Sequence, residues 1–178
     1  MSNEPQSDKQ FSHKIGARMT LFAWIIVLGM LTIFFSGHLQ RQSNPNQTIQ
    51  SLNYQGETEI ILKQNRYGHY VATAEINQTP VNVILDTGAT DVSIPENIAN
   101  QLGLVKGSRI NVTTANGTIT VYSTWIDSIK LGDIILYDVR ASINPFMNED
   151  VALLGMSFLD KLEFTHAGDE LVLKQVRN

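Results

Sequence analysis

The chain has 178 residues, a formal net charge of −4, a pI near 5.5 and no cysteine. That length suits one ordinary domain plus an appendage, and the lack of cysteine excludes disulfides and thiolate metal sites. No block of like charge signals a nucleic-acid surface.

Residues 1–18 are polar and read as a disordered, cytoplasmic amino-terminal tail. Met19 to Ser36, MTLFAWIIVLGMLTIFFS, carries no charge. As a helix rising about 1.5 Å per residue it reaches about 27 Å, close to the hydrocarbon thickness of a bilayer. A buried core helix would carry a polar stripe, which this run lacks. A cleaved signal peptide fits less well, because the run exceeds the usual ~7–15 apolar residues and no A-x-A-like site follows. The reading is a transmembrane helix over 19–37. Lys9, Lys14 and Arg18 precede it and only Arg41 lies close behind. The positive-inside rule then places the amino terminus in the cytoplasm and the remainder across the membrane, on the extracytoplasmic side. Residues 38–56, rich in Gln, Asn and Ser, read as a flexible tether.

From Glu57 the texture changes to short strand-like runs between turn residues, and 57–178 reads as the folded domain. TEIILKQ and HYVATAEI have strand composition, and TPVNVILDTG follows an Asn-Gln-Thr-Pro turn. Ser93 and Glu96 have capping-box spacing, Pro95 suits a first turn, and Gly103 supplies a stop behind Ile98 and Leu102. Asn116-Gly117 between Thr/Val/Ile-rich arms predicts a hairpin, because both central residues of a type I′ turn need positive φ. Two strands flank Gly132-Asp133, a short helix is expected around Ser157 to Leu162, and DELVLKQV closes the domain after the Ala167-Gly168 turn. The prediction is a mainly β domain with one or two short helices.

Asp86 stands directly behind Val83, Ile84 and Leu85, where burial makes its charge costly. Asp and Gly are ordinary turn residues. A hydrolytic carboxylate pair, however, needs two acids so close that only one ionises, each delivered rigidly. An apolar strand secures the entry side, Gly88 permits close approach of another backbone, and Thr87 offers a short hydroxyl to fix the loop.

VILDTGAT resembles the active-site loop of the retropepsin-like aspartic proteases. VALLGMSFLDKLEF, Val151 to Phe164, resembles the apolar-apolar-Gly strand and helix near the end of that fold, and TTANGTITV sits where the family has its substrate-covering flap. The likeness is strongest to the small bacterial, membrane-anchored members. It implies a retropepsin-like single-lobe β-barrel, the acid protease fold, preceded by one transmembrane helix. It implies Asp86 as the catalytic aspartate, supported by Thr87, Gly88 and Ala89, with Thr114, Ala115, Asn116 and Gly117 at the flap over a bound peptide. No cofactor is implied. Thr90 and Met156 stand where viral members carry an ion-paired acid and Arg, so viral subsite specificity does not carry over.

There is one Asp-Thr-Gly in the chain and room for one lobe, so a working pair requires a homodimer. Asp91, Asp127, Asp133, Asp138 and Asp160 lack the apolar-Asp-Thr-Gly context and read as turn or surface acids. His69 and His166 have no second ligand at metal spacing, so no metal site is expected. Leu171, Leu173 and Val176 fit either a dimer interface or the core. The expected function is a membrane-anchored endopeptidase acting on protein or peptide. The alternative is a catalytically silent peptide-binding or assembly module of the cell envelope, against which the intact Asp-Thr-Gly argues.

Overall fold

The computed structural model describes residues 7–54, 56–114 and 117–176. It divides into one unit up to Arg41 and a second from Gln42 onward. In the first, helix α1 spans Ser7–Ser43. It therefore takes in residues 7–18, expected as disordered, and runs past the expected end at 37. Within it Met19–Ser43 is long and apolar enough to cross a membrane, by length and composition, and none of that window is buried. Leu21, Trp24, Ile33 and Phe34 are all exposed. The Thr32 and Ser36 hydroxyls donate to the Leu28 and Ile33 carbonyls at 2.8 and 3.0 Å, which satisfies them without water.

The second unit is built from strands β1 (Ser51–Tyr54), β2 (Glu57–Lys63), β3 (Val71–Ile76), β4 (Thr79–Leu85) and β5 (Val92–Pro95), then helix α2 (Glu96–Gln101). Strands β6 (Arg109–Thr114), β7 (Gly117–Leu131), β8 (Ile134–Asn144) and β9 (Ala152–Leu154) follow, then α3 (Met156–Leu159), β10 (Glu163–Ala167) and β11 (Glu170–Val176). A seven-stranded sheet runs β3-β4-β9-β5-β8-β7-β6, and a further pairing of β3 with β7 closes it into a barrel. Closure removes the exposed edges that an open sheet would present. The interior is apolar: Val83, Ile94, Ile126, Val139, Leu154 and Phe158 are fully buried.

A second sheet of four strands runs β1-β2-β11-β10. Leu171 and Leu173 of β11 lie opposite Leu62 and Ile60 of β2, and all four are buried in the core. Of the two roles open to the closing strand, these leucines take the core. The Val176 side chain lies outside the described residues.

The connector expected as a flexible tether over 38–56 departs most from the sequence reading. α1 occupies it to Ser43, β1 pairs with β2, and Asn44 and Asn46 are buried. The Asn46 amide donates to the Lys63 and Val71 carbonyls at 2.9 and 2.7 Å, and its oxygen accepts the Lys63 amide at 2.8 Å. Asn44 donates to Thr73 Oγ1 and Asn82 Oδ1. A buried amide is tolerated only when its hydrogen bonds are made, and strands β2, β3 and β4 supply them here. The folded domain therefore begins before residue 57.

Local chemistry explains most of the remaining elements. Asn77 and Gln78 turn β3 into β4 with φ of 47° and 67°, the double left-handed geometry of a tight hairpin. Ile98 and Ala99 bury the inner face of α2, and Gly103 at φ 67° ends it. The expected Ser93 cap does not form, because Ser93 lies within β5 and the helix starts behind Pro95 without a side-chain cap. The β6–β7 hairpin forms with Thr114 opposite Gly117. Of the predicted Asn116-Gly117 turn, Asn116 lies outside the described residues.

Candidate active site

Asp86 follows the last residue of β4, and two features hold its backbone. Its amide donates to the Leu154 carbonyl at 3.1 Å, across the parallel β4–β9 pairing, and its carbonyl accepts the Ala89 amide at 3.3 Å. Its side chain is half-buried, and Oδ1 accepts the Gly88 amide at 2.8 Å. The carboxylate is thus tied to its own loop through one oxygen, and Oδ2 has no partner among the described residues. Thr87 and Gly88 are exposed, and Ala89 is half-buried. The Thr87 hydroxyl also finds no partner among the described residues of one protomer.

The loop rests on the segment after β9. The free amides at the start of α3 donate to it: Met156 to the Ala89 carbonyl at 2.8 Å and Ser157 to the Thr90 carbonyl at 2.9 Å. Gly155 makes this approach possible. A Cβ there would stand 2.3 Å from the Asp91 carbonyl oxygen and 2.6 Å from that of Ala89, inside any van der Waals distance.

A charged brace completes the support. Arg140 Nε and Nη2 each lie 2.7 Å from Asp91 Oδ1. The Ser157 hydroxyl donates to the Arg140 carbonyl at 2.8 Å and accepts the Val92 amide at 2.9 Å. The parallel pairing of β5 with β8 sets Val92 opposite Ala141, which brings the preceding residues, Asp91 and Arg140, together. Sequence reading took Asp91 for a surface acid and passed over Arg140 and Ser157. Asp91 had only its nearness to Asp86 as a signal, and Arg140 had none. Across this junction Thr90 pairs with Ser157 and Met156 with Ala89, both through backbone hydrogen bonds, and the ion pair stands one residue further along the loop.

Arg140→Met should lower kcat several-fold while KM changes little, because the brace positions the loop without needing to touch substrate. The stability cost should stay near about 1 kcal/mol or less, since the guanidinium is largely exposed. Exchanging the two charges, Asp91→Arg with Arg140→Asp, should recover part of the loss. Steady-state kinetics and thermal melting check this, and an unchanged kcat in Arg140→Met would remove the brace from the mechanism.

Of the expected flap residues, Thr114 and Gly117 close the β6–β7 hairpin, with Thr114 Oγ1 donating to the Gly117 carbonyl at 2.8 Å. Ala115 and Asn116 lie outside the described residues. A carboxyl group held in this way has the chemistry of a general base or a general acid, but one carboxylate cannot both activate water and protonate a carbonyl. Asp91, the nearest acid along the chain, is committed to Arg140.

A closed β-barrel with an Asp-Thr-Gly loop on one strand end and a projecting hairpin is the architecture of a single-lobe acid protease. Residues 72–161 match the family model described as "gag-polyprotein putative aspartyl protease". The crystal structure of a retropepsin-like aspartic protease from Rickettsia conorii superposes with a TM-score of 0.58 at 27% identity, covering 72% of this chain and 96% of that one. An uncharacterised protein from the cobV 5′ region of a Sinorhizobium species is 26% identical over 179 residues, covering 93% of this chain and 77% of the relative. Another, from Rickettsia prowazekii (strain Madrid E), is 27% identical over 119 residues, 65% of this chain and 50% of its own length. The chain belongs to the retropepsin-like aspartic proteases, and family and fold together support aspartic protease activity.

Proposed function

We propose that this chain is a membrane-anchored aspartic endopeptidase whose site is completed by a second copy, with Asp86 of each protomer forming the carboxylate pair. The observation that carries this reading is the rigid delivery of one half-buried Asp86 by β4, Gly155 and α3, with no second uncommitted acid beside it among the described residues. In the dimer the two acids hold one proton. The ionised member takes a proton from a water placed between them as that water attacks the scissile carbonyl, and the neutral member donates to the carbonyl oxygen. Peptide lies extended across the cleft and pairs by strand-like hydrogen bonds with the two β6–β7 hairpins, which act as flaps. Thr87, Gly88 and Ala89 support the pair, and Thr114 to Gly117 border the substrate.

Activity on an unfolded protein should therefore fall faster than linearly when the purified full chain is diluted in detergent. Sedimentation should show the loss following dissociation of dimers. A monomer with undiminished specific activity would overturn the shared site.

The exposed apolar stretch of α1 supports anchoring in the inner membrane, and the basic residues ahead of it support a periplasmic domain. Protease added outside intact spheroplasts should remove the domain and leave a short amino-terminal fragment. Digestion only after lysis would reverse the assignment.

A further inference from the structure

The loop between β2 and β3 is built around one asparagine. Asn65 Oδ1 accepts the amides of Tyr67 and His69 at 2.9 and 3.0 Å. The Asn65 amide donates to the His69 carbonyl at 2.8 Å, and its carbonyl accepts the Gly68 amide at 3.0 Å. Gly68 supplies the left-handed turn at φ 80°. This frame presents Arg66 and Tyr67 to solvent, with Tyr67 62% exposed.

The same asparagine ties the loop to the end of α1. Its Nδ2 donates to the Ser43 carbonyl at 3.1 Å, and Arg66 Nη1 reaches Gln42 Oε1 at 3.4 Å. Gln42 and Ser43 are the last residues of the helix and the first of the folded unit. Asn44, directly behind them, is buried. From Gly37, the end of the apolar span, to Ser43 the helix rises about 9 Å, and tilt only shortens that height. The headgroup layer is itself about 5–8 Å deep on each side of the hydrocarbon. Covalent length alone therefore starts this loop at the outer limit of the headgroups, whatever angle the domain takes.

The side chains suit that depth. Tyrosine is enriched at membrane interfaces, where its ring is apolar and its hydroxyl stays wet. The Arg66 guanidinium lies over the Tyr67 ring, 4.6 Å from its centroid, and donates to the Tyr67 hydroxyl. Its partners are neutral, and among the described residues no carboxylate pairs with it. Lys63, Lys106, Lys130, Arg140 and Lys174, by contrast, each face an acid. A guanidinium carries five N–H donors in a planar fork that fits a phosphate, so Arg66 keeps both charge and donors for one.

We propose that the loop over residues 65–69 docks on the phospholipid headgroups around the anchor, with Arg66 on a lipid phosphate and Tyr67 inserted beside it. Docking then fixes which end of the domain faces the bilayer. Val71 lies opposite Ile84, and the Tyr70 carbonyl accepts the Leu85 amide at 3.0 Å. The Asp86 loop thus shares the docked end of the β3–β4 hairpin. Thr79, opposite Ile76, stands at the other end, about 16 Å away along the strand. The docking rests on the anchored reading of α1 and adds a polar contact to it.

The chain has no cysteine, so one introduced thiol carries one fluorophore. Full-length His69→Cys is labelled and reconstituted in vesicles of phosphatidylethanolamine and phosphatidylglycerol. A quencher carried on the lipid headgroup should remove most of its emission, whereas the same label in Thr79→Cys should keep most of its own. Adding Arg66→Glu and Tyr67→Ser to His69→Cys should shift the docked fraction about tenfold toward free and restore the emission. Melting of the domain and cleavage of a soluble peptide should not change, because Asn65 and the candidate site are untouched. Equal quenching of the two labels, or quenching at residue 69 that survives the double substitution, would overturn the docking. If those chains still resist alkaline extraction from the vesicles, the anchor and the peptidase stand. A chain that alkali washes off the vesicles would overturn anchor and docking together.

Discussion

On the proposed shared site, Asp86→Asn should abolish hydrolysis while the fold and the dimer survive. The amide is nearly the same shape as the carboxyl, and its oxygen can still accept the Gly88 amide that Asp86 Oδ1 holds at 2.8 Å. The cost in stability should therefore stay within about 0.5 kcal/mol, as for substitutions that break no buried network. The ionisable pair disappears, and with it both proton transfers, each worth about 10²–10⁴ in rate. Two carboxylates that share one proton titrate as a unit, so the proposed pair predicts that kcat/KM traces a bell over pH. Asn at this position should flatten that bell along with the rate. Kinetics, melting and sedimentation of the purified variant give the answer together. Cleavage near the wild-type rate would reduce Asp86 to a turn residue.

Gly155→Ala should be damaging although it adds one methyl group. Its Cβ would stand 2.3 Å from the Asp91 carbonyl oxygen and 2.6 Å from that of Ala89. Both are backbone atoms and cannot swing aside as a flexible side chain could. Either the active-site loop moves or the β9–α3 junction does, at about 1–3 kcal/mol or more. A displacement near 1 Å also costs about 10² in rate when the displaced group does the chemistry. Gly68→Ala serves as the comparison. Its φ of 80° strains any side chain, but nothing lies within 4 Å of the added methyl. It should lose about 1–2 kcal/mol from backbone strain and retain kcat. Equal kinetic losses in the two variants would show that Gly155 acts through general stability and does not position Asp86.

Much of this protein is legible locally. The uncharged run of α1, the alternation in β2, the left-handed turn at Asn77-Gln78 and the apolar approach to Asp86 are each contained within a few residues. Periodicity, turn propensity and a short motif therefore reveal them. Features set by distant pairing were not legible. Asp91 meets Arg140 because β5 and β8 run parallel in one register, and nothing near either residue announces it. Asn44 and Asn46 look like linker residues until β2 and β3 offer backbone carbonyls to Asn46 and Thr73 and Asn82 offer side-chain oxygens to Asn44. Ser93 has the spacing of a helix cap, but strand pairing claims it for the barrel. Leu171 and Leu173 gave no preference between core and interface until β11 paired with β2 and buried them. Local sequence specifies which elements form and where the acid stands. Strand register, a property of residues far apart in the chain, decides what holds that acid in place.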